Sequence, residues 1–303
     1  MFLSIALALA AQQITIPLGP KPRQIERPKA PIEQAGPQWA KACGDSTDWD
    51  QAAPSVRIHA NTYLVGTCGI SSILIVGDEG NVLIDGGTEK GAEVIAANIR
   101  SLGFKLKDIR YLLMSHEHFD HVGGIARLQQ LTGATLVTSA PAEQVLNTGV
   151  PGTDDPQGGM HKPFRAANVG RVIGDGGDVR LGNIRLFAMT TPGHTPGALS
   201  WRWESCDGGV CRTIVYADSL SPISRDDYKF SDHPAYLAAY RDSIAKIAAS
   251  RCEILLTPHP SASDMKERMT GKEKLFDPEG CKAYAASLSK RLDDRLAKEA
   301  AAK

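Results

Sequence analysis

Three things are missing from this 303-residue chain, and each absence excludes a class of protein. Net charge is missing: 34 Lys and Arg balance 34 Asp and Glu. No basic tract or stripe appears, so nothing points to a nucleic-acid partner. A membrane span is missing at the start of the chain, where the apolar run Phe2–Ala10 is too short to cross a bilayer as a helix. The Cys-x-x-Cys spacing is missing, so the six cysteines do not form a thiolate zinc site. There is also no internal repeat and no linker dividing two cores. A single layered α/β domain is expected.

The apolar run at the start ends Ala8-Leu9-Ala10, a small-x-small cleavage pattern, although no Lys or Arg precedes it. It reads as an export signal over residues 1–11 and predicts a periplasmic protein. Residues 12–40 are rich in Pro and Gln with little periodicity, which predicts a flexible or surface-draped arm. The arm is taken as residues 12–45 and the folded domain as residues 46–303. An even number of cysteines suits an oxidising compartment, and six allow fifteen pairings. Proximity suggests Cys206–Cys211 across a tight turn. Cys252–Cys281 would tie the last strand to the last helix, and Cys43–Cys68 would tether the arm.

Apolar alternation and β-branched runs predict strands at 57–66, 70–76, 81–85, 109–114, 134–138, 183–189, 199–204, 212–216 and 253–256. Helical spacing predicts helices at 89–102, 124–131, 140–146, 234–249 and 279–298. Residues 147–180 are rich in Gly, Pro and Asp, a long connection of the kind that forms active-site walls.

The densest chemistry lies at residues 116–121, His-Glu-His-Phe-Asp-His, followed directly by Val-Gly-Gly. Four groups able to bind a transition metal fall within six positions, and imidazole with carboxylate suits zinc. A His-rich polar loop is the plain alternative. Against it stand His194, in Thr-Pro-Gly-His-Thr-Pro-Gly, and His259, in Thr-Pro-His-Pro, each directly after an expected strand. Either alone is an incidental loop histidine; three strand-end loops each carrying His are what a rim-built metal site requires. In extended backbone His116 and His118 share a face. The ligands divide into two sets: His116, His118 and His194 for one zinc, and Asp120, His121 and His259 for a second. Three protein ligands with an open position are the catalytic pattern. Glu117 is expected behind the ligands or facing solvent, and Phe119 packed inward. His59, His161 and His233 lie outside the constellation, with His161 read as a surface residue that could line the pocket.

His-x-His-x-Asp-His, a Gly-His loop and a late His resemble the metallo-β-lactamase fold, and more specifically the third subclass of class B metallo-β-lactamases. The stretches that carry the resemblance are Leu83-Ile84-Asp85-Gly86-Gly87, the 116–121 loop, the two His loops and Tyr216-Ala217-Asp218-Ser219-Leu220-Ser221. It runs from about Asp48 to the C-terminus and includes the Cys252/Cys281 pair. The metal motif alone is shared with thioesterases, lactonases, nucleases and oxygen-reducing enzymes; the Ser219/Ser221 segment and Thr-Pro-His-Pro are the subclass-specific parts.

That resemblance implies a four-layer αβ/βα sandwich holding two Zn2+ ions at one edge. It implies hydrolysis of the β-lactam amide of penicillins, cephalosporins and carbapenems by a zinc-activated hydroxide, conferring antibiotic resistance. Asp120 would be the catalytic residue, binding the second zinc and orienting the nucleophile. Ser219 stands where the first subclass has a Cys ligand, with His121 taking that role. Ser219 and Ser221 would face the substrate carboxylate. Asp85 would lie beneath the His loop and orient it, and Asp218 is left outside the ligand set. The alternatives are an exported hydrolase of a lactone or thioester, and a non-catalytic zinc-binding exported protein. No Ser-x-x-Lys followed by Ser-Asp-Asn and Lys-Thr-Gly occurs, so a serine acyl-enzyme is not expected. Nothing in the chain forces a dimer, and a monomer is expected.

Overall fold

The computed structural model describes residues 31–301; the expected export signal and residues 12–30 of the arm lie outside the described residues. The described residues open on helix α1 (Ile32–Cys43), then run through strands β1 (Val56–His59), β2 (Thr62–Leu64), β3 (Ile73–Val76) and β4 (Asn81–Ile84). Helix α2 (Gly91–Ser101) leads to β5 (Ile109–Leu113), the short α3 (Phe119–Val122), α4 (Ile125–Thr132), β6 (Thr135–Thr138) and α5 (Ala140–Thr148). The second half comprises β7 (Val169–Val172), β8 (Asp178–Leu181), β9 (Ile184–Thr190), β10 (Leu199–Asp207) and β11 (Val210–Tyr216). It closes with α6 (Pro234–Ala249), β12 (Ile254–Leu256), α7 (Met265–Met269) and α8 (Gly280–Ala301).

The strands form two sheets, β1-β2-β3-β4-β5-β6-β7 and β12-β11-β10-β9-β8. In the first, β1 to β4 pair antiparallel and β4 to β7 parallel; in the second, only β11 and β12 are parallel. Strands β3 and β4 are buried throughout, as their unbroken apolar runs require. Their side chains share one core with α2, α4 and the two tryptophans of β10. Two indoles stitch the sheets together: Trp201 Nε1 donates to Met114 O at 2.8 Å, and Trp203 Nε1 to Thr62 Oγ1 at 3.1 Å. A second core forms where α6 and α8 cover the other face of the smaller sheet, around Tyr240, Ile244, Tyr284 and Leu288. Helix, sheet, sheet, helix is the expected four-layer sandwich, and the strand ends of both sheets supply the His loops.

Most of the expected elements are present, with ends shifted by a few residues. The strand expected over 57–66 is a hairpin, β1 and β2, turning at Ala60 with φ 44°. Part of the expected arm is helical: α1 buries Ala35, Trp39 and Cys43 on one face, a spacing of four that Pro and Gln had masked. The long connection contains β7 and β8, which the sequence reading missed. Both are edge strands, and three of the four residues of β7 are exposed, so they lack the apolar signal of an inner strand.

All three expected disulfides are formed: Cys43–Cys68, Cys206–Cys211 and Cys252–Cys281. The first and third close stretches 25 and 29 residues long. Each stabilises by about 3 kcal/mol, chiefly by restricting the unfolded chain. No helix among the described residues is long and apolar enough to cross a membrane.

A candidate metal centre at the strand ends

The 116–121 segment leaves β5 extended and then turns into α3, with His118 at the helix start at φ −78° and ψ 151°. The Gly-Gly pairs explain how it is seated. Gly86 N donates to His121 O at 2.8 Å and Gly124 N to Gly87 O at 2.9 Å. A Cβ on Gly124 would lie 2.3 Å from Gly86 O, so no larger residue fits. Directly before the first pair sits Asp85, held in the left-handed region at φ 63° although it is not glycine. It is fully buried. Its Oδ1 accepts from Ser115 N at 2.6 Å, and its Oδ2 from Ser115 Oγ and Tyr216 Oη, both at 2.7 Å. Burial and the Asp85 charge push Tyr216 up, so the phenol stays protonated and donates.

His116, His118 and His194 present ligand atoms within 4.8 Å of one another, and all three are buried. The second set converges as closely. Asp120 Oδ2 lies 3.1 Å from His121 Nε2 and 3.4 Å from His259 Nε2, and the two ring nitrogens are 3.3 Å apart. His116 also reaches Asp120 and His121, so the two sets share a wall.

Each ring has its far nitrogen turned to an anchor. His194 Nδ1 donates to Ser221 O at 2.9 Å and His259 Nδ1 to Gly69 O at 3.1 Å. A carbonyl can only accept, so both rings carry their proton on Nδ1 and a lone pair on Nε2. His118 Nε2 faces Asp155 Oδ2 at 2.9 Å, which leaves Nδ1 for the centre. His116 Nδ1 faces Asp218 Oδ1 at 2.8 Å, and its Nε2 is buried with no partner. His121 Nδ1 lies 3.3 Å from Asp85 Oδ2, out of line for a good hydrogen bond. Four imidazoles hydrogen-bonded from behind, and His121 beside Asp85, each with a nitrogen turned inward, form the donor set of a divalent cation site.

The charges agree. Burial, reinforced by neighbouring imidazoles, holds His116 well below the usual imidazole range and His194 down to about 3. His259 falls to about 4 for the same two reasons. Burial also works against charge on His121, but Asp120 and Asp85 outweigh it and push that ring up to about 10. Asp120 is correspondingly held well below the usual carboxylate range, because the imidazoles of His121 and His259 overcome its burial. Burial pushes Asp218 well above the carboxylate range. A cation at His116 Nε2 would favour the Asp218 carboxylate and the Nδ1–H tautomer of His116 together.

A family profile described as the metallo-beta-lactamase superfamily matches residues 65–259, a span that contains every one of these ligands. The chain belongs to that superfamily. Among solved structures, the metallo-β-lactamase MIM-2 is 52% identical over 88% of this chain and 98% of that chain, with a TM-score of 0.84. MIM-1 from Novosphingobium pentaromativorans is 47% identical over 87% and 98%, with a TM-score of 0.85. MEM-A1, a subclass B3 metallo-β-lactamase from a soil metagenome library, is 41% identical over 84% and 100%, with a TM-score of 0.82. The expected third subclass is thereby borne out. The first curated relatives match less: 31% identity to ribonuclease TTHA0252 of Thermus thermophilus and 25% to a hydroxyacylglutathione hydrolase of Rhodospirillum rubrum. The chain spans 36% and 40% of their lengths. A metal-dependent hydrolase of the metallo-β-lactamase fold follows, with a divalent metal in its site.

Residues around this metallo-β-lactamase centre meet the sequence expectation in part: of the two places expected for Glu117, behind the ligands or facing solvent, the first holds. Glu117 is buried as a clamp, accepting from Thr195 Oγ1 at 2.7 Å and Gly197 N at 2.8 Å, and so fixes the His194 loop to the His116 loop. Phe119 is half-buried rather than packed inward. His161, read as a surface residue, lies with its ring 4.5 Å from that of His118, and its Nε2 is 3.2 Å from Gln157 Oε1. The Asp155 anchor of His118 was missed entirely; its only local signal is an Asp-Pro pair in a long connection. Ser219 Oγ is buried with no hydrogen-bond partner. Ser221 instead uses its carbonyl on His194, while its hydroxyl accepts from Arg291 Nη2 at 3.2 Å. Between the two serines Leu220 is strained, at φ 42°.

Proposed function

We propose that this chain hydrolyses the amide bond of bicyclic β-lactams. In this reading His116, His118 and His194 hold one zinc, and Asp120, His121 and His259 hold a second. The observation that carries it is the inward nitrogen on every anchored ring, above all the buried, partnerless Nε2 of His116. Bound there, zinc supplies a Lewis acid and lowers the pKa of water to about 7, which makes a nucleophile available at neutral pH.

The remaining work falls to side chains. Asp120 stays ionised between two imidazoles and orients the attacking water. Asp218 and Asp155 would hold His116 and His118 in the tautomers that leave a lone pair for the cation. Ser219 Oγ is a free buried hydroxyl, able to donate to the substrate carboxylate. Asp85 and Glu117 keep the His loops in register, so the centre is assembled before substrate arrives.

Likeness to subclass B3 enzymes at 41% identity over the whole of one such chain supports β-lactams over a lactone or thioester, for which the curated matches are shorter and more distant. Six cysteines paired into three disulfides support action in the periplasm after export, and we take the enzyme to work as a monomer. The test is turnover of a chromogenic cephalosporin with and without a chelator. Chelator-sensitive hydrolysis, restored by zinc, is expected. Brisk lactone cleavage with no turnover of any β-lactam would transfer the assignment to the other hydrolase class.

A further inference from the structure

One face of α8 follows the segment that leads from Asp218 to Tyr228. Tyr284 Oη donates to Ser219 O at 2.9 Å and Asp218 O at 3.2 Å. Seven residues on, two helical turns along the same face, Arg291 Nη2 reaches Ser221 Oγ. A further turn on, Arg295 Nη2 reaches Ser224 Oγ at 2.7 Å and Tyr228 O at 2.9 Å.

The neighbouring cations are neutralised. Arg295 pairs with Glu299 at 2.8 Å, Arg241 with Asp293 at 2.8 Å, Lys290 with Asp294 at 2.6 Å, and Arg225 with Asp227 at 2.9 Å. Arg291 has no carboxylate within ion-pair distance among the described residues. Its contact is a neutral hydroxyl, and the residue is exposed. That hydroxyl belongs to Ser221, whose carbonyl holds His194. A single residue therefore separates an unneutralised guanidinium from an imidazole of the metal centre.

We infer that Arg291 is the cation that recognises the substrate's carboxylate, with Ser221 as the hydroxyl between them. The inference rests on the β-lactam reading above. Guanidinium is planar and meets a carboxylate with two parallel N–H bonds. Ser221 Oγ accepts from Arg291 and donates to Ser219 O at a long 3.4 Å, a weak bond that a charged acceptor can displace. Arg291 is solvent-exposed, so the attraction is screened by salt. It acts on binding and orientation, remote from the scissile bond.

The zinc-loaded enzyme tests this with a penicillin, the methyl ester of that penicillin, and the variants Arg291→Ala and Arg291→Lys. For the acid, Arg291→Ala raises KM about tenfold, the size expected for a charge-assisted hydrogen bond, and leaves kcat within about twofold. Arg291→Lys recovers only part of the loss, because it restores the charge without the paired N–H geometry. The ester is indifferent to either change, and the rise of KM with added salt expected of the wild type is flattened in Arg291→Ala. Arg241→Ala, an exposed change on α6, leaves all parameters as they were. An unchanged KM for the acid, or an equal loss for acid and ester, overturns the assignment to Arg291. Absence of β-lactam turnover in the wild type overturns the hydrolase reading itself, and this inference with it.

Discussion

The two halves of the metal centre share one six-residue loop yet differ in charge. His116, His118 and His194 form an all-nitrogen half, in which burial and mutual repulsion hold His116 and His194 neutral. Asp120, His121 and His259 form a half built around a carboxylate, which pushes His121 up to about 10. In the first half, His116 and His194 can accept a cation without giving up a proton. The second holds a proton at neutral pH that a cation must displace, so its affinity depends more steeply on pH. The lesson is that the strength of each half is set by what stands behind its rings: Asp218, Asp155 and a carbonyl for the first, and Asp85 with a carbonyl for the second.

The sharpest way to break this comparison is to remove a ring from the nitrogen half. His118→Ala or His194→Ala is expected to lower kcat for a cephalosporin by about a thousandfold or more, since several kcal/mol of Lewis-acid stabilisation go with the ion. Full activity in either variant would rule out the first set. Asp120→Ala cuts into the other half. A loss of about a hundredfold in kcat is expected, together with a fall in bound zinc from two per chain to one, measured by elemental analysis. Two ions retained at full occupancy would contradict the second set.

Smaller effects sharpen the comparison. Asp155→Asn keeps the shape behind His118 but removes the charge, and should weaken zinc binding by about tenfold to a hundredfold in a competition titration. Unchanged affinity would make Asp155 a packing residue only.

The smallest effect is the pH dependence of the metal-free protein. His194 and His259 stand at about 3 and about 4, below an unfolded value of about 6.5, so the unfolded chain binds more protons and stability is lost as pH falls below about 6.5. His121 stands above its unfolded value, so its contribution is complete below about 6.5 and is lost as pH rises toward about 10. Thermal unfolding of stripped protein should therefore show a maximum near neutrality. His194→Gln should flatten the acid side and spare the alkaline side; a profile that is flat in both proteins would remove the electrostatic difference between the halves.

The six proposed ligand positions could be picked out from residue order because their signal is local. Three histidines and an aspartate within six positions have no packing explanation, and His194 and His259 each follow a strand whose apolar run is plain. The buried strands β3, β4 and β5 were visible for the same reason. Edge strands β7 and β8 were not, because a strand with one exposed side and few apolar residues looks like a loop. Helix α1 was hidden by Pro37 and by its neighbours' composition, although Ala35, Trp39 and Cys43 are spaced for a single face.

Residue order alone determined most of the elements, the pairing of adjacent chemistry and which residues offer donor atoms, since these depend on side-chain type and short spacing. Tertiary structure decided which way each ring faces. Asp155 and Asp218 stand 37 and 102 residues from the imidazoles they hold, and Gly69 stands 190 residues from His259. No periodicity carries such distances. The tautomers, the neutrality of one half and the charge of the other arise only when the two sheets bring those groups together out of water, where burial and a neighbouring charge outweigh the intrinsic acidity of each side chain.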